Sequence, residues 1–294
     1  MLKKSILLEN KASLSTKNLQ LVIKTETRES TIPIEDIGFL VIDHPEIYLS
    51  IPAMNLMIEN NTSVIICNTN HLPNGMFLNL NSHHIQQEIF KNQINASVPL
   101  KKKLWQQTVI DKITNQGILL QKITSKNNNF EFLASKVLSG DSSNMEGVAA
   151  SFYWKVFFEQ KFKRERFGDY PNNFLNYGYA ILRAATARAL SGSGLLNTLG
   201  IHHKSKYNAF ALADDIMEPF RPVVDEKVAE IMQNYTEQEL NTQIKAELLQ
   251  ILTRTVYFKD EKSPLMVALQ KTASSLQQCY TGDRKKIKYP KLWN

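Results

Sequence analysis

The segment from Gly200 to Pro222, GIHHKSKYNAFALADDIMEPFRP, gathers more side chains able to ligate a metal than any other part of the chain. His202 and His203 precede a short polar loop. Asp214, Asp215 and Glu218 follow within an apolar run. On a helix starting near Ala209, Glu218 lies three residues from Asp215 and four from Asp214, so it shares a face with either acid. Ile216, Met217 and Phe220 provide the apolar side that would anchor this helix. Clustered carboxylates repel unless a cation or base neutralises them, which makes a divalent ion a natural occupant. With an upstream imidazole, the donor set suits Mg²⁺ or Mn²⁺ with positions left open for substrate oxygens. Zinc is less favoured, because neither cysteine is near. A solvated acidic helix beside two loop histidines accounts for the same spacing. Pro219 should bend or end the helix just past the acids.

A further acid, Glu146, stands in Asn144-Met145-Glu146-Gly147-Val148-Ala149-Ala150. The small residues after it allow close helix packing, which would place Glu146 at an interior junction. Ser143-x-x-Glu146 is also a capping box, in which Glu146 folds back to its own helix end. Asn173 to Leu182 and the Ala-rich run ending at Ser191-Gly192-Ser193-Gly194 predict a tightly packed central helix. These glycines lack the continuation of a nucleotide-binding loop, no G-x-S-x-G occurs, and neither cysteine carries a catalytic motif. His83-His84 has no acid or cysteine immediately beside it and reads as a surface pair at a helix start.

The elements that must hold these residues divide the chain in two. β-branched runs at Ser5–Leu8, Leu19–Lys24, Ser30–Ile34, Phe39–Asp43, Ile47–Ser50 and Ser63–Cys67, joined by turns such as Ser15-Thr16-Lys17-Asn18, predict a small antiparallel β-sandwich or β-roll. Pro52 fits the first turn of a helix reaching Glu59. Leu72-Pro73-Asn74-Gly75 is a turn signal, and the texture becomes helical near residues 80 to 86. Ser97 with Pro99 opens a helix through Trp105, Val109, Ile113 and Leu120. Thr236-x-x-Glu239 predicts a helix cap before Leu240, Ser263-Pro264 starts another helix, and Lys126-Asn127-Asn128-Asn129 reads as a loop. The expected fold is α+β: a β-rich N-terminal domain over residues 1–82 and a larger all-α domain over 83–294.

The chain has 294 residues, a formal charge of +7 and a mean hydropathy of −0.28, ordinary for a folded protein with room for two cores. Basic residues cluster at Lys101-Lys102-Lys103, at Lys161, Lys163, Arg164 and Arg166, and at Arg284 to Lys291, a distribution able to line an extended polyanion. Cys67 and Cys279 lie too far apart in sequence for a metal or redox motif, so free thiols in a reducing compartment are expected. The apolar run Ile6–Leu8 is too short for a signal peptide and no stretch could span a membrane, so the expected location is cytoplasmic.

Glu146-Gly147 opening a helix, Leu175-Asn176-Tyr177-Gly178-Tyr179, Gly200-Ile201-His202-His203 and Asp215-Ile216-Met217-Glu218-Pro219-Phe220-Arg221-Pro222 together resemble the CRISPR-associated protein 1 family, the endonuclease and integrase subunit that inserts spacers into CRISPR arrays. The last motif and the compact length look most like the branch found in type II systems. The resemblance implies Glu146, His203 and Glu218 as catalytic metal ligands for Mg²⁺ or Mn²⁺. His203 is preferred to His202 because the family histidine stands three residues after the glycine. Asp215, Asp214 and His202 would steady these ligands. Arg221 falls where a basic residue can meet the DNA backbone, and Lys161, Lys163, Arg164 and Arg166 become phosphate contacts. The implied reaction joins the 3′-hydroxyl of a short DNA fragment to the repeat by transesterification. The implied partners are double-stranded DNA, a second copy docked through the N-terminal domain, a bridging dimer of CRISPR-associated protein 2 and the type II RNA-guided nuclease. The competing class is a non-catalytic DNA-binding scaffold whose acids serve only packing and capping.

Overall fold

A computed structural model of the chain describes residues 3–79, 81–125, 129–158, 162–165, 168–259 and 261–294. The N-terminal part contains β1 (Lys4–Leu8), β2 (Ala12–Lys17), β3 (Gln20–Lys24), β4 (Glu29–Pro33), β5 (Ile37–Ile42), β6 (Ile47–Leu49), α1 (Ile51–Glu59), β7 (Ser63–Cys67) and β8 (Pro73–Phe77). Two four-stranded sheets form, in the orders β4-β3-β2-β6 and β1-β5-β7-β8. The all-antiparallel expectation needs correction: β1 and β7 flank β5 in parallel, and β6 runs parallel to β2. The parallel β5–β7 pair is possible because β6 and α1 make the crossover that such pairing requires. Ser50 caps α1 by accepting from the Ala53 amide, with Pro52 in the first turn.

Alternation along β5, buried at all six positions, divides this strand between two cores. Leu40 and Ile42 pack with Leu14, Leu21, Met57 and Val64 between the sheets. Phe39 and Val41, with Ile65 of β7, face the other way into the helical core. One sheet therefore serves both halves of the molecule.

The C-terminal part comprises α2 (Gln86–Ile94), α3 (Val98–Thr124), α4 (Phe130–Ser135), α5 (Met145–Phe157), α6 (Asn172–Gly192), α7 (Ala211–Met217), α8 (Arg221–Asn234), α9 (Thr242–Leu249) and α10 (Leu265–Thr281). A hairpin of β9 (Thr255–Phe258) and β10 (Glu261–Pro264) interrupts the helices, and Lys291 bridges to Tyr257 on its edge. Ser97 caps α3 as its spacing predicts. The Thr236–Glu239 cap does not form; Asn241 instead accepts from the Ile244 amide and starts α9. Of the expected loop at 126–129, residues 126–128 lie outside the described residues.

α6 runs through the middle of the helical core. Its Gly178 is set by contact: a Cβ there would stand 2.5 Å from Val224 Cγ1 of α8. Between the two halves, buried Lys245 of α9 donates to Glu9 at 2.8 Å and to Asp43 at 2.6 Å. Burial opposes the ammonium, and Asp43 and Glu9 outweigh it, holding its pKa above the usual lysine value. Cys67 and Cys279 are free thiols.

Candidate active site

The 200–222 segment folds as a loop, then α7, a single 3₁₀ turn at Glu218–Phe220, and α8. Pro219 thus converts one turn and redirects the chain instead of ending it. Asp215 is fully buried and organises the loop. Its Oδ2 accepts from the amides of Ile201 at 2.5 Å and His202 at 2.9 Å, while Oδ1 accepts from the His203 amide at 3.2 Å. Gly200 leaves room for this wrap, since a Cβ would lie 2.5 Å from the His203 carbonyl oxygen and 2.9 Å from Asp215 Oδ2.

His203 Nδ1 lies 2.5 Å from Asp215 Oδ1. This hydrogen bond is the main cause of an imidazole pKa raised above its ordinary value, against the opposing effect of burial. With Nδ1 engaged, Nε2 is the ring nitrogen left to meet an ion or substrate, the arrangement common among metal-ligating histidines. His202 stacks on Trp105, with ring centroids 4.3 Å apart and planes inclined by 3°. Asp214 turns elsewhere, to Arg183 Nε at 2.6 Å and Asn208 Nδ2 at 2.8 Å.

Glu146 occupies the first turn of α5. The capping-box alternative is not what the helix uses: Asp141 accepts from the amides of Met145 and Glu146 at 2.8 and 3.0 Å. The Glu146 carboxylate reaches Lys112 of α3, with Nζ to Oε1 at 2.6 Å. The same Lys112 Nζ lies 2.5 Å from Glu218 Oε2, and Arg221 Nε lies 2.8 Å from Glu218 Oε1. Burial works against the Glu218 charge, but Arg221 and Lys112 prevail and lower its pKa below the ordinary glutamate value. The lysine shows the mirror effect, its pKa raised by Glu218 and Glu146 in spite of burial.

Glu146 and Glu218, distant in sequence, therefore meet at one cation, with His203 beside them. Two carboxylates and an imidazole with a free nitrogen are donors of the type a hard divalent ion takes. In the arrangement seen, no three His, Cys, Asp or Glu among the described residues surround a common point, and both glutamates close on Lys112 instead.

The expected DNA contacts are dispersed. Arg221 is turned toward Glu218, with its guanidinium 4.6 Å from the Tyr179 ring centre. Arg164 is drawn onto α6 by Asn172 and Asn176 at 2.9 and 2.7 Å. Lys163 is exposed and pairs with Glu165, whereas Lys161 and Arg166 lie outside the described residues. Beside His203 a cleft of about 690 Å³ opens, lined in part by Lys101, Lys204, Lys206 and Tyr207.

Sequence reasoning passed over Lys112, although a signal existed. It lies seven residues after Trp105 and three after Val109, on the stripe that buries Ile113 and Gln116. A lysine on a buried stripe needs a carboxylate partner.

Fold and site together define an α+β protein, strand-rich in its N-terminal part and helical in its C-terminal part, with two carboxylates and an imidazole gathered in the helical part. Residues 6–260 match the family described as CRISPR associated protein Cas1, and the chain belongs to that family. A CRISPR-associated endonuclease Cas1 from Neisseria meningitidis serogroup C is 36% identical over 295 residues, covering 98% of this chain and 96% of the relative. Solved structures of other proteins share the fold. A casposase bound to its integration product superposes with a TM-score of 0.75 at 22% identity, over 97% of this chain and 92% of the casposase. A chain of a Cas6-RT-Cas1–Cas2 complex gives 0.74 at 20% identity, over 99% of this chain and 36% of the larger one. Among the described residues no helix is long and apolar enough to cross a membrane.

Proposed function

We propose that the chain is a metal-dependent DNA endonuclease and integrase of CRISPR adaptation, of the type II branch, joining the 3′-hydroxyl ends of a short DNA fragment to the repeat. The observation that carries this reading is the convergence of Glu146 and Glu218 on a single cation beside an Asp215-held His203. Similarity to a protein named as an endonuclease, and to a casposase holding an integration product, supports it.

Glu146, Glu218 and His203 Nε2 would hold Mg²⁺ or Mn²⁺. When bound, the ion would make the attacking oxygen more acidic and offset charge developing at phosphorus. Asp215 engages the imidazole through Nδ1, which leaves Nε2 for the ion, and Arg221 helps to hold the Glu218 pKa below its ordinary value. The attacking 3′-oxygen forms a bond to the repeat phosphorus as the bond to the repeat's own 3′-oxygen breaks, leaving a new 3′-hydroxyl. Water as nucleophile would give hydrolysis. Exposed Lys102, Lys103, Lys163, Arg284, Lys285 and Lys286 serve as phosphate contacts, which position DNA without reading its sequence. A homodimer through the N-terminal sheets, a bridging Cas2 dimer and the type II nuclease are the proposed protein partners; the Cas6-RT-Cas1–Cas2 assembly is the precedent for Cas2.

The test is Mn²⁺-dependent joining of a short duplex to a repeat-containing plasmid by wild type, Glu146→Ala, His203→Ala and Glu218→Ala. Expected is a loss of joining of at least about 100-fold in each variant, with folding and DNA binding retained. Joining that survives all three changes would leave a DNA-holding scaffold. Affinity for DNA should fall steeply from low to moderate salt, as counterion release requires, and a flat profile would remove the phosphate contacts.

A further inference from the structure

Lys112 marks where the two glutamates meet but takes no part in the chemistry given above, yet it is the residue around which the centre closes. It is largely buried on α3, and its Nζ touches one oxygen of each glutamate. Three residues along the same helix, Asn115 Nδ2 donates to the Pro219 carbonyl oxygen at 2.8 Å, which fixes α3 against the turn that carries Glu218. This tie opposes movement of the lysine together with its helix, and leaves the four-carbon stem as the part most able to swing.

Charge gives this contact its meaning. Glu146 and Glu218 carry two negative charges, and Lys112 with Arg221 supplies two positive ones, so the cluster is balanced without any divalent ion. An ion held by the same carboxylates would draw oxygens to about 2.0–2.1 Å for Mg²⁺, closer than the ammonium contacts of 2.6 and 2.5 Å. An ammonium left between those oxygens would then face a dication at close range in a partly desolvated site, where like charges repel strongly.

We infer that Lys112 is a positioning residue acting as a built-in counter-cation: it holds the two glutamates together before an ion arrives, competes with the ion for them, and so sets the affinity of the centre. The inference rests on the metal-dependent reading and adds to it the residue that opposes the metal. Arg221 is not equivalent, because it meets only Glu218 and leaves Glu146 free to turn.

The experiment is calorimetric titration of Mn²⁺ into the full-length chain as wild type, Lys112→Met, Lys112→Gln, Lys112→Arg and Glu146→Ala, without DNA. Thermal melts of each are run in chelator and in Mn²⁺. Lys112→Met and Lys112→Gln are expected to bind Mn²⁺ at least roughly tenfold more tightly than wild type, because a competing charge within contact distance is gone. Lys112→Arg should stay near wild type, and the two neutral variants should show a larger Mn²⁺-dependent rise in melting temperature. Unchanged or weaker Mn²⁺ binding in a folded Lys112→Gln, with wild type binding normally, overturns the role of Lys112 alone. No saturable Mn²⁺ binding by any form overturns both this inference and the metal-dependent function. A neutral variant that folds only when Mn²⁺ is present supports the inference, since the ion then replaces the lysine.

Discussion

At the scale of single residues, the helical core stores charge in unequal settings. Asp225 is buried and accepts hydrogen bonds from the hydroxyls of Tyr153, at 2.7 Å, and Tyr179. Burial raises its pKa to about 6, with the tyrosines only partly offsetting the effect. A folded-state value above the unfolded one means that the folded protein holds this proton more firmly. The contribution is complete below the unfolded value near 4 and is lost as pH rises through about 6. Relative to Asp225→Asn, wild type should therefore gain stability by about 2 kcal/mol as pH falls from 7 to 4. Urea unfolding of both proteins across that range checks the sign, and a difference independent of pH would mean that Asp225 is ionised throughout. The candidate ligands His203 and Glu218 stand out in the sequence because they fall in one dense segment of acids and imidazoles, and Glu146 because it matches a family motif. Lys112 does not, because lysines are common and nearly always solvated. Asp141 was hidden by a rival: Ser143 offers a conventional cap, and only backbone geometry, with Asn144 at φ 51°, gives the amides to Asp141 instead.

Helices and strands were legible where pattern and burial agree. β7 matches its β-branched run residue for residue, α1 begins at the proline that marks it, and α3 begins at its serine and proline signals. β2 was misread as a turn because Ser13, Ser15 and Lys17 are its exposed alternates, leaving Ala12 and Leu14 as its buried residues. The actual turn lies one step later, at Asn18 and Leu19, both with positive φ. Exposed Leu19 is an unusual occupant of a position that favours Asn or Gly. β8 contains the Pro73-Asn74-Gly75 signal that suggests a turn, and as the edge of its sheet it tolerates the proline. Packing between elements yields its own prediction. Gly178→Ala should cost about 1–3 kcal/mol by forcing α6 from α8, and Val224→Ala should restore part of that loss. Equilibrium unfolding of the two single variants and the double variant decides it. An additive double variant would show that the two helices already have slack.

Over the whole molecule, the sheet that serves two cores makes the halves interdependent, and the buried Lys245–Asp43 pair crosses the same junction. Asp43→Ala leaves Lys245 to Glu9 alone and should cost about 3–5 kcal/mol, because a charge then remains buried with half its partners. Loss should appear as one shifted transition when sheet and helix signals are followed together. An early, separate transition of the N-terminal strands would show that the shared sheet does not couple the cores. The pattern of burial could not reveal this sharing: β5 reads simply as a wholly apolar strand, and which core receives each side chain depends on partners far along the chain.

α3 presents different residues to different neighbours around its circumference. Thr108 meets Tyr289, Lys112 meets the two glutamates, and Asn115 meets the carbonyl of Pro219. Each residue added to a helix turns everything beyond it by about 100° and lifts it by about 1.5 Å. An insertion or deletion between Gln107 and Asn115 would thus misalign several unrelated partners in one step, whereas a substitution disturbs one. Among relatives, this stretch should drift freely in residue identity on its solvent side while keeping its length unchanged, a ruler within an otherwise adaptable fold.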